Sequence, residues 1–401
     1  MFQFIDNGSI TSVDGIKAAG INCGIKKQKK DLALIFSDVP CSAAGTFTLN
    51  KVVAAPLVIS KNIIKQQNKV KAILVNSGNA NACTGTTGFS NALDSQSYCA
   101  KKLSVNPSEV VISSTGVIGR QMPMVLLKSG INDIINYLSE EGGLDAAEAI
   151  LTTDLKRKSF AVKVKLPEGE VTIGGICKGS GMIMPNMATM LAFLATDASI
   201  EQAVLQNLLS SAVDNSFNKI SVDGETSTND MVILIENGLS GIKIKENSED
   251  YNRFYAALLA ICQEMAKAIA ADGEGATKLI TISVNNAKTK KDADTIARAV
   301  ANSPLFKTAM NGNDANWGRI LSVAGNSGVD FTPEKVSIKF DDMKILEPNY
   351  SVNFDEEEAK KLLNKEKVTV SVDLDEGEES STWWTCDFSE GYIKINSSYR
   401  T

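Results

Sequence analysis

Residues Cys177–Leu194 read CKGSGMIMPNMATMLAFL: a glycine-rich loop, then an apolar strand that opens on one threonine, Thr189. A strand fixes the direction of a hydroxyl at its mouth, and a glycine loop in front leaves that hydroxyl accessible. Composition narrows what the hydroxyl can do, because the chain has 401 residues and no histidine. Ser-His-Asp and Cys-His relays are excluded. A lysine, a carboxylate dyad or an N-terminal α-amine remains as base, and the last applies only if the chain is cut between Ala188 and Thr189. An α-amine titrates near about 7.7–8.0 without tuning, so it suits proton abstraction at neutral pH. Thr189 is also a β-branched residue of high strand propensity, and the local sequence leaves both readings open.

Outward from this stretch, strand-like runs, polar glycine-containing loops and helical spacings recur. Strands are predicted at 32–36, 52–60, 70–75 and 109–112, with helices at 87–103, 124–138 and 144–151. Period-two alternation at 160–166 and 170–176 around Pro167-Glu168-Gly169 predicts a hairpin. Downstream, 189–196, 231–235 and 279–284 read as strands, and helices are predicted from Ile200 to Ala212, at 251–271 and at 293–301. In the tail, 335–340, 367–374 and 392–396 read as strands, with an acidic helix at 355–363 and an exposed hairpin tip at 376–380. The fold class is α/β (α+β), with sites at strand ends.

Bulk composition sets further bounds. Apolar residues at 43% and charged residues at 22% are ordinary for a globular protein. A net charge of −6 argues against a nucleic-acid or anionic-membrane partner. Lys26-Lys27-Gln28-Lys29-Lys30 reads as a solvated loop. The start lacks the features of a signal peptide, and the most apolar stretch, Met182–Ala195, is broken by Pro185 and Asn186. Seven cysteines are scattered without a CxxC pair. The expectation is a cytoplasmic protein with reduced thiols and no structural metal. No phosphate-cradling motif is present.

For chemistry at a carbonyl, Thr115-Gly116 offers the best oxyanion donors, although a turn after a strand looks the same. Lys178 could meet a substrate carboxylate as a point charge, or be one solvated lysine among many. Glu274, between two glycines, could hold an ammonium group or simply close a helix. The polar loops 79–81 and 311–318 could line a site or cap helices.

The block KGSGMIMPNMATMLAFLATDA at 178–198 resembles the self-cleavage region of the ornithine acetyltransferase (glutamate N-acetyltransferase) family of arginine biosynthesis. Matches in order support it: VNSGNANACTG at 75–85, SSTGVIG at 113–119, ILTTD at 150–154, DGETSTND at 223–230, DGEGATK at 272–278, NDANWGRI at 313–320 and YIKINSSYRT at 392–401. The resemblance implies autoproteolysis between Ala188 and Thr189, giving an α chain of 1–188 and a β chain of 189–401, and Thr189 as nucleophile with its own α-amine as base. It implies Thr115 and Gly116 as the oxyanion hole, and substrate contacts from Lys178, Thr189, Glu274, Asn396, Thr401 and one of Thr152 and Thr153. Acetyl would pass from N2-acetyl-L-ornithine to L-glutamate by a ping-pong cycle in the cytoplasm, without a cofactor or a metal. Some members also use acetyl-CoA as a co-substrate. The implied fold has two lobes of stacked mixed sheets flanked by helices, self-cleaved and assembled as a heterotetramer of two α and two β chains. The competing reading is a hydrolase, an aminopeptidase or amidase of the same self-cleaving architecture.

Overall fold

The computed structural model describes residues 2–184 and 190–398. From the start of the chain run β1 (Phe2–Phe4), β2 (Ile16–Ile21), β3 (Leu32–Phe47), α1 (Ala55–Lys65), β4 (Val70–Asn79), α2 (Gly85–Leu103), β5 (Val110–Val117), α3 (Met124–Ile134), α4 (Gly143–Ala149), β6 (Lys158–Leu166) and β7 (Gly169–Lys178). There follow β8 (Leu191–Thr196), β9 (Ser199–Ile200), α5 (Gln202–Asp214), β10 (Ile220–Ser221), β11 (Met231–Glu236), β12 (Lys243–Ile244), α6 (Glu249–Ala271) and β13 (Leu279–Ala287). The last part holds α7 (Lys290–Asn302), α8 (Pro304–Asn311), α9 (Trp317–Gly325), β14 (Ser337–Phe340), β15 (Met343–Leu346), α10 (Glu356–Leu363), β16 (Lys367–Asp373), β17 (Glu379–Cys386) and α11 (Glu390–Ser398).

A large mixed sheet has the order β1-β6-β7-β8-β11-β3-β4-β5, with β2 beside β3. Its centre is β8 (LAFLAT) and β11 (MVILIE), parallel to each other and buried throughout. Both are continuous apolar runs rather than alternating ones, as expected of strands covered on two faces. Successive side chains point to opposite faces. Phe193 and Ile233 join one core with Leu57, Leu127 and Ile131, from α1 and α3. Leu194, Val232 and Leu234 join the other with Leu208, Phe254, Ile261 and Met265, from α5 and α6.

A second sheet, β10-β17-β13-β16-β14-β15, is built wholly from the later half of the chain. One face packs on α7 to α10 around Ile282, Ile296, Phe306 and Trp383. The other turns Leu279, Trp384 and Cys386 toward α6. Helix α6 is thus a wall shared by the two sheets, touching β6 and β7 on one side and β17 and β13 on the other. By length and composition α6 could cross a bilayer, but its apolar face is the core between the sheets.

Three expectations are corrected. The strand at 52–60 is instead α1: Pro56 pre-sets the first helical turn, and Leu57, Ser60 and Ile64 fall on one buried face. The strand at 392–396 is α11, where Asn396 donates its side-chain amide to the Tyr392 carbonyl one turn back. Residues 376–380 do not tip a hairpin, because β13 lies between β16 and β17. Instead Glu376 and Gly377 donate backbone N–H groups to Asn286 O as the chain crosses the end of β13. The 160–176 hairpin forms as expected, with Leu166 paired to Gly169.

The segments 1–188 and 189–401 are interleaved: β8 and β11 of the second sit between β7 and β3 of the first. A nick between Met184 and Met190 should therefore leave two pieces that co-elute on gel filtration and separate only in denaturant. Elution of two independent folded pieces would contradict this topology.

Candidate active site

Several chain turns end on one small cavity of about 140 Å³. Parallel strands β4 and β5 bring Ser77 opposite Thr115 and Gly78 opposite Gly116. Gly116 has φ of 129°, and a Cβ there would come 2.5 Å from the Gly78 carbonyl carbon, so only glycine fits. The loop after α4 supplies Thr152 and Thr153, and the last residue of β7 supplies Lys178. Glu274 follows the end of α6, and Asn396 comes from α11.

Lys178 is 2% exposed, so it is no solvated lysine. Its Nζ donates to Thr152 Oγ1 at 2.8 Å and stands 3.7 Å from Asp154. Of the two threonines left open by the sequence, Thr152 is the one engaged by Lys178; Thr153 lines the same cavity. Asp154 also takes Lys158 Nζ at 2.8 Å, and Lys158 bonds Asp272 at 2.6 Å. Burial would raise the Asp154 carboxyl, but Lys178 and Lys158 outweigh it and hold the group well below the usual carboxylate range. Its oxygens also accept Gly179 N–H at 2.7 Å and Thr152 N–H at 3.0 Å, while Asp272 accepts Leu155 and Lys156 N–H. This buried chain of charges ties the 152–158 loop, the end of β7 and the end of α6 together.

Glu274 is clamped next to it. Its N–H donates to Ser180 O at 2.9 Å, while Ser180 Oγ donates to Asp272 O at 2.7 Å. Gly181 packs directly on the carboxylate, where a Cβ would lie 2.4 Å from Glu274 Cδ. Asn396 Nδ2 donates to Glu274 Oε2 at 2.8 Å. Glu274 thus both follows a helix end and faces the cavity.

Asp223 and Tyr392 are among the wall residues that the sequence reading missed. Asp223 accepts Met182 and Ile183 N–H at 2.6 and 2.7 Å, and burial pushes its carboxyl up. Tyr392 stacks on Phe388 at 4.9 Å and points its hydroxyl at Asp223. Burial, then the Asp223 charge, pushes that phenol above its ordinary range. The signal was the acidic first residue of DGETSTND, read only as part of a match. Cys177 offers no nucleophile, since burial pushes its thiol up to about 12. Among the described residues no cluster of three or more Cys, Asp or Glu is placed to hold a metal ion. Ala188, Thr189 and Thr401 lie outside the described residues. The run Lys26–Lys30 is solvated at Lys27 and Lys29, but Lys26 is half-buried and donates to Leu151 O at 2.9 Å. Of the polar loops, Ala80 lines the cavity, whereas Asn316 caps α9.

A cavity this small, with a buried ammonium on one wall and a carboxylate on the other, suits an enzyme of small amino acids, and the donors at the end of β5 suit acyl transfer. The chain belongs to the ArgJ family, whose model matches residues 17–401. It is 47% identical over 393 residues to the arginine biosynthesis bifunctional protein ArgJ of Thermotoga neapolitana, covering 96% of this chain and 99% of that protein. Its identity to the protein of the same name from Chlorobaculum tepidum is 48% over 389 residues, covering 97% and 96%. Among solved structures, the ArgJ protein of Bacillus halodurans is 40% identical with a TM-score of 0.50, covering 51% of this chain and 96% of that one. The chain is accordingly an acyltransferase of arginine biosynthesis, and the hydrolase alternative gives way.

Removing one partner of a buried ion network leaves an uncompensated charge. Lys158→Met should lower stability by about 3–5 kcal/mol in urea unfolding. Asp154 has a depressed folded pKa, so its contribution is full above the unfolded carboxylate value near about 3.9 and is lost as pH falls below it. The variant, with one cation fewer, should unfold at higher pH than the wild type in an acid titration. An unchanged acid midpoint would contradict the role given to Lys158.

Proposed function

We propose that Thr189, freed as an N-terminus by cleavage of the Ala188–Thr189 bond, carries acetyl from N2-acetyl-L-ornithine to L-glutamate. In this reading the neutral α-amine of Thr189 takes the proton of its own Oγ, and Oγ attacks the acetyl carbonyl. Thr115 and Gly116 face the developing oxyanion. The C–N bond breaks, the proton passes to the departing nitrogen, and L-ornithine leaves an acetyl-threonine. The amine of L-glutamate then attacks that ester, Oγ recovers its proton, and N-acetyl-L-glutamate leaves. Lys178 meets a substrate carboxylate and Glu274 a substrate ammonium, with Thr152, Thr153, Asn396 and Thr401 as further contacts.

The observation that carries the reading is the meeting, on one cavity, of Thr115, Gly116, Thr152 and Lys178 from before residue 188 with Glu274 and Asn396 from after it. The absence of histidine supports an α-amine base. A relative whose solved chain is covered over 96% of its length by 51% of this one is what a cut protein would give. In the same proposal, residues 1–188 and 189–401 are the α and β chains of a cytoplasmic heterotetramer, two of each. Acetyl-CoA serves as a second acetyl donor, in keeping with the word bifunctional in the relatives' names, and no cofactor is required.

Intact mass of the purified protein is the test. The wild type should give two chains that together make up the whole, and Thr189→Ala a single uncut chain without transferase activity. An uncut wild type, or a cut Thr189→Ala, would overturn the proposal.

A further inference from the structure

Where β4 and β5 reach the cavity, their pairing breaks. The register runs evenly from Ala72 opposite Val110 to Gly78 opposite Gly116, then shifts, so that Asn79 stands opposite both Thr115 and Val117. Gly78 and Gly116 both have positive φ, 95° and 129°. A register shift disrupts the ladder locally, and backbone groups that lose a strand partner need one from elsewhere.

One side chain supplies it. Asn229 is 5% exposed, and its Nδ2 donates to Ala80 O at 2.7 Å and to Ser114 O at 2.8 Å. Ala80 follows the last residue of β4 and Ser114 precedes Thr115 on β5, so the amide spans the break. Its orientation is set from behind: Oδ1 accepts the Thr228 hydroxyl, and Asn229 N–H donates to Ser227 Oγ at 3.1 Å. The loop that carries it is tied down in turn. Thr48 Oγ1 donates to Ser227 O at 2.8 Å, Ala54 N–H to Thr228 O at 3.0 Å and Thr48 N–H to Asp230 O at 3.0 Å. A side-chain amide has two N–H donors. Both are used on these carbonyls, so Asn229 lines the cavity with neither left for a substrate.

We propose that Asn229 is a positioning residue for the oxyanion donors: its amide fixes the peptide that carries Thr115 and sets the spacing of the two strand ends at Gly116. This rests on the reading of Thr115 and Gly116 as those donors. A peptide unit is planar, so a bond to Ser114 O also fixes the direction of Thr115 N–H. Gly116 packs on Gly78, and the bond to Ala80 O holds the strand end to which Gly78 belongs. Donors aimed at a developing charge act most strongly when they are fixed beforehand. Asn229 lies after residue 188 and Thr115 before it, so this bond joins the two segments of the proposed cut.

Asn229→Ala removes both donors. Asn229→Asp removes them at nearly unchanged size and keeps an oxygen for the Thr228 hydroxyl. Each is compared with the wild type in intact mass, melting temperature, kcat and KM for N2-acetyl-L-ornithine. In a folded, cut variant kcat should fall by about one to two orders of magnitude with KM little changed, as for groups that act mainly in the transition state. The effect should run through Thr115: in kcat/KM, the double variant with Thr115→Ala should lose less than the two single losses combined. Losses that add in full, a change confined to KM, or wild-type kinetics would overturn the proposal. A folded but uncut Asn229→Ala supports it when Thr115→Ala is uncut as well, and overturns it when Thr115→Ala is cut. If neither Asn229 variant folds, the residue holds the fold rather than the donors, and the proposal falls. Thr115→Ala with wild-type kcat would instead sink the reading of the donors themselves, whatever the Asn229 variants do.

Discussion

The buried network Lys178–Asp154–Lys158–Asp272 is the constraint on which the site depends. It joins three segments far apart in sequence, the loop carrying Thr152 and Thr153, the end of β7 and the end of α6. Each ion loses its water on burial, and that loss is offset only because cations and anions alternate and backbone N–H groups fill the remaining lone pairs. The arrangement fixes where Lys178 and Glu274 stand before any substrate arrives. Charged groups held in this way are preorganised and have little left to reorganise.

The second constraint is topological. Strands β8 and β11 are the most apolar in the protein and lie in the middle of a sheet whose other members precede residue 188. A backbone break between β7 and β8 therefore removes a covalent bond without removing a layer. Helix α6 serves the same end from the other side, one face on the large sheet and the other on the small one, with Glu274 just past its C-terminus.

Much of this was legible in the sequence, for identifiable reasons. Long apolar runs such as 231–235 and the period-two hairpin at 160–176 announce themselves, because burial dictates residue type directly. Segments 52–60 and 392–396 did not. Short mixed runs suit helix and strand equally, and the outcome was decided by Pro56 in one case and by docking of α11 against Glu274 in the other. The ordered motifs pointed to Thr115, Lys178, Glu274 and Asn396. Asp154 and Asp230 were quoted inside the motifs TTD and TND without a role, since only the fold reveals that one gathers two lysines and the other meets Met190 N–H. A local sequence carries no sign of a long-range ion pair.

The central claim is that acetyl rests on Thr189 between two amino-acid substrates. Mixing the enzyme with N2-acetyl-L-ornithine in the absence of L-glutamate, quenching in acid and measuring the mass of each chain tests it most directly. The chain beginning at Thr189 should gain one acetyl group, mapped to Thr189 Oγ by peptide fragmentation and discharged on adding L-glutamate. No adduct, or an acetyl group on another residue that L-glutamate does not remove, would contradict the account.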